Sequence, residues 1–316
     1  LYLFDYYRNL NLTVMNNLII AIFLLTLSAF SSYSQFLPTP GPTGGTVYCL
    51  YVNGSTVYAG TQNGGVFKST NNGDSWNASN SGLIVDVVNS LNGFGNNLFC
   101  GTNSGFYRST NSGSNWSAVN YGESMLVTSL TVNGTDVYLG NSDGRLFKST
   151  NNGLNWSYFA GSFGGRVNSI LFHQGLIYAA VDNMGAYATT NSGANWSLVS
   201  ESYLYAKVLY PTGNVVRLGS SNGGKKRTGN TGSFSNDIPW INYTLSYASV
   251  GNYIIAGHSN GMFWSSDNGS TWNDPVAGYL SGTFVYSMAQ NTDYVFAGTS
   301  QVYRRPTSQF TGLNII

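Results

Sequence analysis

The chain repeats itself about every 40 residues. Ser69-Thr-Asn-Asn-Gly-Asp-Ser-Trp76, Ser109-Thr-Asn-Ser-Gly-Ser-Asn-Trp116, Ser149-Thr-Asn-Asn-Gly-Leu-Asn-Trp156 and Thr189-Thr-Asn-Ser-Gly-Ala-Asn-Trp196 follow one another in a 40-residue register. Ser265-Ser-Asp-Asn-Gly-Ser-Thr-Trp272 is a fifth copy. A second marker precedes each box: Tyr58-Ala-Gly60, Phe99-Cys-Gly101, Tyr138-Leu-Gly140, Tyr178-Ala-Ala180, Arg217-Leu-Gly219, Ile255-Ala-Gly257 and Phe296-Ala-Gly298. Its intervals are 41, 39, 40, 39, 38 and 41 residues, so there are seven units. Units this short cannot bury an apolar face alone and must pack against their neighbours.

Within a unit, period-2 alternation marks four short strands. In the first they fall near Val47–Val52, Val57–Gly60, Gly65–Ser69 and Ser75–Ala78, with turns at Asn53-Gly54, Asn63-Gly64 and Asn71-Asn72-Gly73. Asn-Gly pairs accept positive φ and favour hairpins. Four antiparallel strands in about 40 residues make a propeller blade. The predicted fold is therefore all-β, a seven-bladed β-propeller of four-stranded antiparallel blades filling residues 35–316. The fifth unit is degenerate: Asn230-Thr-Gly232 stands where a box belongs, and Trp240 comes four residues late. The seventh unit ends at Val302-Tyr-Arg-Arg-Pro306 without a box. Gln35-Phe36-Leu37-Pro38 falls in the register of a fourth strand and is expected to complete the last blade, leaving the ring no bare edge.

Composition agrees. Charged residues are only 8% of the chain and aromatics 15%, with 39 glycines and a net charge of +1. This excludes a disordered chain, which lacks aromatics, and a nucleic-acid binder, which needs a basic excess. Residues 1–14 contain no Met and read as upstream translated sequence. Met15 to Ser34 has the apolar core and the small-x-small end of a signal peptide, too short to span a bilayer. The expected product is exported, uninserted in the membrane and monomeric, secreted or held on the surface of a bacterium. Cys49 and Cys100, the only cysteines, read as buried free thiols. With two histidines they form no zinc spacing. Lys225-Lys226-Arg227 reads as a solvated strand at a blade edge.

The boxes resemble the Asp-box, or bacterial neuraminidase, repeat of sialidases, xyloglucanases, sortilin-type receptors and photosystem II assembly factors. The resemblance implies a propeller, with the boxes on its rim and away from any active site. Here Asn71, Asn111, Asn151 and Asn191 stand at the acidic position, and only Asp267 keeps the acid. The box residues read as structural. Asn or Asp caps the turn, Gly73, Gly113, Gly153, Gly193 and Gly269 supply positive φ, and Trp76, Trp116, Trp156, Trp196 and Trp272 fill gaps between sheets.

Ligands are expected on the opposite face, which collects the loops joining blades and the turns between second and third strands. Its candidates are Tyr121, Glu123, Asp143, Phe163, Arg166, Asp182, Glu201, Tyr203, Tyr205, His258 and Tyr279. Aromatic and polar side chains together suit a glycan or a protein partner. A glycosidase needs two close carboxylates, and the exported part has only Glu123 and Glu201 as glutamates, in different loops. No triad, metal set or cofactor motif is visible. The reading is a non-catalytic binding or scaffold module. A glycoside hydrolase of sialidase or xyloglucanase type is the alternative, and an assembly factor resembling the photosystem II family a second. The tail resembles the end of propellers in secreted bacterial proteins, where a sorting domain often follows.

Overall fold

The computed structural model describes residues 35–84, 87–238, 243–273 and 280–310. The expected upstream segment (1–14), the expected signal peptide (15–34), Trp240 and Tyr279 lie outside the described residues. From Phe36 onward the described chain forms seven antiparallel sheets. Blade 1 comprises Val47–Asn53, Thr56–Thr61, Val66–Ser69 and Asn77–Ala78. Blades 2 to 5 repeat this order from inner strands Val88–Phe94, Val127–Asn133, Val167–His173 and Ala206–Thr212. In blade 7, Ser287–Gln290, Tyr294–Gly298 and Val302–Pro306 are joined by Leu37–Pro38. Leu37 pairs with Arg304 and Pro38 with Tyr303, so the N-terminal strand closes the ring as expected. Blade 6 is the exception. Beside Thr244–Val250, Tyr253–His258 and Gly261–Ser265 its fourth strand is reduced, among the described residues, to one bridge between Trp264 and Asn273.

The inner strands touch in sequence round the ring, the last against the first. The repeat marker explains how they approach. A Cβ placed on Gly60, Gly101, Gly140, Gly257 or Gly298 would lie under 3.0 Å from the side chain of Val88, Val127, Val167, Val285 or Val47. In each case the valine belongs to the next blade. Seam 4–5 solves the same problem differently: Ala180 replaces the glycine and Ala206 the valine, both wholly buried in one cluster. In seam 5–6, Gly219 faces the backbone oxygen of Thr244.

Each box folds as the residue types dictate. In blade 1, Ser69 Oγ donates to Asn71 Oδ1 (2.9 Å) and accepts from Gly73 N–H (2.7 Å), while Asn71 Oδ1 accepts from Ser75 N–H (3.0 Å). Boxes 109–116, 149–156, 189–196 and 265–272 reproduce this pattern. The five box glycines have φ between 75° and 90°, the left-handed region that glycine enters without cost. The indoles reach the preceding blade. Trp76 Nε1 donates to Thr39 Oγ1 (3.1 Å), Trp116 Nε1 to Ser79 O (2.7 Å), and Trp156 meets Phe106 edge-on at 4.8 Å. Of the five, only Trp116 is fully buried; Trp76, Trp156, Trp196 and Trp272 keep an edge at the surface.

The Lys225–Arg227 segment corrects the sequence reading. Gly223–Thr228 is a regular third strand in which Lys225 and Arg227 are buried. Lys225 Nζ meets Glu201 Oε1 (3.1 Å) and Asn236 Oδ1 (2.9 Å), and Arg227 donates to the Tyr178 hydroxyl (2.5 Å) and to the Asn230 and Gly232 carbonyls. Close by, Arg217 and Asp237 form a wholly buried ion pair at 3.0 Å that Lys226 joins at 3.1 Å. Buried cations are tolerated because every charge has partners. Run-and-sign patterns along the sequence do not reveal partners contributed by other elements.

Two outcomes follow from this packing. Ala206→Val should be destabilised by about 1–3 kcal/mol through overpacking against Ala180. Adding Ala180→Gly rebuilds the glycine–valine pair and should recover much of that loss, read as positive coupling in a urea-denaturation cycle. Hydrogen bonds, led by the Thr271 N–H, lower the Asp267 carboxyl to about 2. An unfolded Asp titrates near 3.9. This depressed group therefore stabilises the fold above that value, and its contribution disappears as pH falls through about 2. Asp267→Asn, the residue used by the other four boxes, should flatten the stability–pH curve between pH 5 and 2, measured by thermal unfolding.

Candidate functional site

Seven inner strands enclose a channel of about 730 Å³. Its wall is set by a recurring backbone irregularity. In blades 1 to 6 the inner strand carries a bulge at the residue 12 positions before the repeat marker's small residue. A bulge re-aims the side chain of its extra residue. The bulged residues Tyr48, Asn89, Thr128, Asn168, Lys207 and Leu245, with Tyr286 in blade 7, all line the channel. Bonds from this tier and the residue after it also tie the seams. Asn89, Thr128 and Asn168 donate to the carbonyls of Val127, Val167 and Ala206 in the next blade, as do Ser246 to Val285 and Ser287 to Val47. Cys49 takes this role in seam 1–2, its thiol 3.7 Å from the Val88 carbonyl.

The mouth lies two positions further upstream. There Thr46, Val87, Leu126, Arg166, Tyr205, Tyr243 and Phe284 occupy one equivalent position per blade, 14 residues before the marker. In six blades the carbonyl of this residue accepts the N–H that follows the second strand, as Arg166 O accepts from Asp182 N–H (2.9 Å). The rim is asymmetric. Tyr205, Tyr243 and Phe284, on three consecutive blades, are all exposed, and Phe284 stacks on Tyr286 at 5.6 Å. Arg166 stands next in the ring and reaches into the channel, its Nη2 donating to Asn89 Oδ1 (3.2 Å). Burial lowers its pKa, which Asp182 and Tyr48 partly oppose. Asp182 itself is engaged by Lys207 at 2.8 Å, with that ammonium 5.9 Å from the Tyr205 ring.

The expected ligand residues therefore separate into groups. Arg166 and Asp182 line the channel, Tyr205 lies against Lys207, the partner of Asp182, and Tyr203 is 79% exposed. Glu123 pairs instead with Arg145 and accepts from Asn141 Nδ2 (2.7 Å), with Asp143 exposed nearby. Glu201 is bound to Lys225. Tyr121 is buried, edge-on to Phe147, and donates to Met125 O (2.6 Å); burial raises its hydroxyl to about 12. Phe163 packs against Tyr187 (4.9 Å) and Trp196 (5.3 Å) inside blade 4. His258 is wholly buried, its Nε2 3.0 Å from Thr244 Oγ1 and its ring against Phe263, and burial lowers its pKa to about 3. It is a neutral packing residue at physiological pH. Tyr48, Asn89, Lys207 and Tyr286 were not among the expected residues. Counting back from the repeat marker finds all four, because the bulge keeps the 12-residue offset constant.

Fold and channel together define the class: a seven-bladed β-propeller with a central channel lined by its inner strands. No protein-family model matches the sequence, and no curated protein is significantly similar to it. Solved structures do share the fold. YCF48 from Cyanidioschyzon merolae superposes with a TM-score of 0.69 at 14% identity, covering 86% of this chain and 98% of that one. The extracellular domain of BT4673 from B. thetaiotaomicron gives 0.69 at 17%, covering 86% of this chain but 40% of that one. The GH74 xyloglucanase from Xanthomonas campestris gives 0.68 at 13%, covering 88% and 54%. At these identities the likeness is one of fold, and these propellers differ in function.

Cys49 and Cys100 are both free thiols; Cys100 is buried as expected, whereas Cys49 is only partly buried and lines the channel. Burial pushes Cys49 up to about 12 and Cys100 well above its usual value. Both stay protonated at neutral pH, and the thiol is the unreactive form. An aromatic disulfide reagent at pH 8 should label neither in the native protein and both after unfolding in guanidinium, counted by absorbance.

Proposed function

We propose that this chain is an exported, non-catalytic binding or scaffold module, secreted or held on the surface of a bacterium, and that its glycan or protein ligand sits across the channel mouth. One observation carries the reading. At a single repeat position, three consecutive blades carry exposed aromatic rings, and the next blade in the ring carries a cation that lines the channel. Packing gives no reason for three adjacent rings in solvent, whereas a ligand surface uses them. The Met15–Ser34 segment and the charge-poor surface support placement outside the cell. The repeated boxes support kinship with Asp-box propellers.

Hydrolysis is the weaker reading on chemical grounds. Glycosidases place two carboxyl groups about 5–10 Å apart across the scissile bond. Among the described residues only Asp182 lines the channel as a carboxylate, and it is neutralised by Lys207.

The test is a glycan array and a displayed peptide library on the purified full chain, run beside a panel of glycosidase substrates. Binding without turnover is expected. The double variant Tyr205→Ser/Tyr243→Ser should lose at least about tenfold in affinity, the loss of two interface anchors, with the melting temperature unchanged. Turnover of any substrate overturns the non-catalytic reading, and ligand binding indifferent to the double variant removes the mouth as its site.

A further inference from the structure

We propose that the channel mouth is a protein-docking surface that captures a carboxylate of its partner, with Arg166 as the anion contact and the aromatic half-rim seating the partner's neighbouring apolar residues. This deepens the reading above and rests on it.

Charge is the first argument. Among the described residues, the channel lining holds two cations, Arg166 and Lys207, and one carboxylate, Asp182. Lys207 already holds that carboxylate at 2.8 Å. Arg166 makes no ion pair among the described residues; it has the Asn89 amide oxygen alone, and its Nε is buried without a hydrogen-bond partner. Three other cations withdrawn from water are compensated by protein groups, while half-buried Arg108, like Arg166, keeps a buried Nε without a partner. Arg217 has Asp237, Lys225 has Glu201 and Asn236, and Arg227 has a tyrosine hydroxyl and two carbonyls. A half-desolvated guanidinium whose Nη1 has no protein partner matches a carboxylate, which accepts a charge-assisted bond from it. The compensating group missing from the channel is therefore an anion, brought by whatever fills the mouth.

The surroundings select a protein as its carrier. Ten large apolar side chains are exposed among the described residues. Six of them, Ile84, Met125, Tyr203, Tyr205, Tyr243 and Phe284, lie in the loops that join blades. The other four lie on outer strands and a box turn. Sugars stack on aromatic faces, but isoleucine and methionine offer them little, whereas a protein interface uses aliphatic, aromatic and arginine side chains together. Tyr203 adds a backbone signal. It is held at φ 60°, in the left-handed region that a tyrosine rarely adopts, and projects into solvent.

The test uses the full chain and synthetic random ten-residue peptide libraries in three forms. The first has free carboxyl termini. The second is amidated but contains Asp and Glu. The third is amidated and lacks both. Binders are expected from the first or second form and none from the third. Enrichment in the first alone assigns the ligand to a chain terminus, and in the second to an acidic side chain. The best peptide should weaken at least about tenfold in Arg166→Gln, the loss of a charge-assisted pair, and partly recover in Arg166→Lys. Both variants should keep the wild-type melting temperature, and affinity should fall with salt. Equal binders from the third library, an unchanged affinity in Arg166→Gln, binding of polygalacturonate in the absence of any peptide binder, or no binder at all overturns the proposal. Binders that ignore the carboxylate yet are lost in Tyr205→Ser/Tyr243→Ser sink it while leaving the mouth as the binding face.

Discussion

The ring depends on how closely one blade's second strand approaches the inner strand of the next. Glycine against valine sets that distance in five seams, and a hydroxyl, amide or thiol bonded to the carbonyl of the following blade fastens six of the seven. A side chain larger than hydrogen on the first partner would wedge the blades apart. A smaller partner than valine would leave a void, and either costs stability in a close-packed interior. The alanine pair at seam 4–5 moves bulk from one blade to the other with one side-chain carbon fewer in total, close to the near-isosteric core exchanges that are tolerated. Because a closed ring shares its error among all seams, this spacing has to be held at every one of them.

The outer edge obeys a second rule, and blade 5 shows how it can be met without its usual residues. The Tyr58 hydroxyl and Lys68 Nζ both donate to the carbonyl of Ser112, in the box turn of the next blade. At seam 7–1, Arg304 does the same for Asn72. These box carbonyls sit at positive φ and need a donor from outside their own turn. In blade 5, Arg217 replaces the aromatic residue of the marker and donates to Asn268 O at 2.8 Å, the equivalent carbonyl. A guanidinium has donors to spare, and Asp237 balances its charge while also lying 3.5 Å from Trp272 Nε1. The degenerate unit is thus a substitution of one donor type for another, with the neutralising acid supplied by the residue that follows its outer strand.

The blade count, the closing strand, the box turns and the free thiols were legible in the sequence because each depends on local spacing. Asn-Gly turns, the marker glycine and the small-residue rhythm are all read within a few residues. What was not legible depends on a register shared by distant segments. His258 ends a second strand and Asp182 follows one, yet His258 turns inward onto Phe263 and Thr244, while Asp182 meets Lys207 in the next blade. Lys225 and Arg227 look solvated until Glu201, Asn236 and Tyr178 are placed around them. The missed channel residues were hidden by the bulge. Period-2 alternation assigns Tyr48, Asn89 and Lys207 to one side of a regular strand, and an extra residue breaks that alternation at the point where they face the lumen.

That bulge also separates the jobs of neighbouring residues. The residue just before it packs into the seam and is valine in five blades, alanine or threonine in the other two. The rim residue carries no such duty and varies freely, from Thr46 to Phe284. The bulged residue fastens the seam by a side-chain bond in blades 2 to 4 and varies elsewhere, from Lys207 to Leu245. Their backbones are nevertheless held by the ladder and by the rim carbonyl bonds. A fixed backbone with unconstrained side chains lets the mouth gather aromatic rings over blades 5 to 7 and a single guanidinium on blade 4 without disturbing closure. A symmetric scaffold can therefore present a polar, one-sided surface, because the residues that make the ring and those that decorate its opening occupy adjacent but independent positions in every repeat.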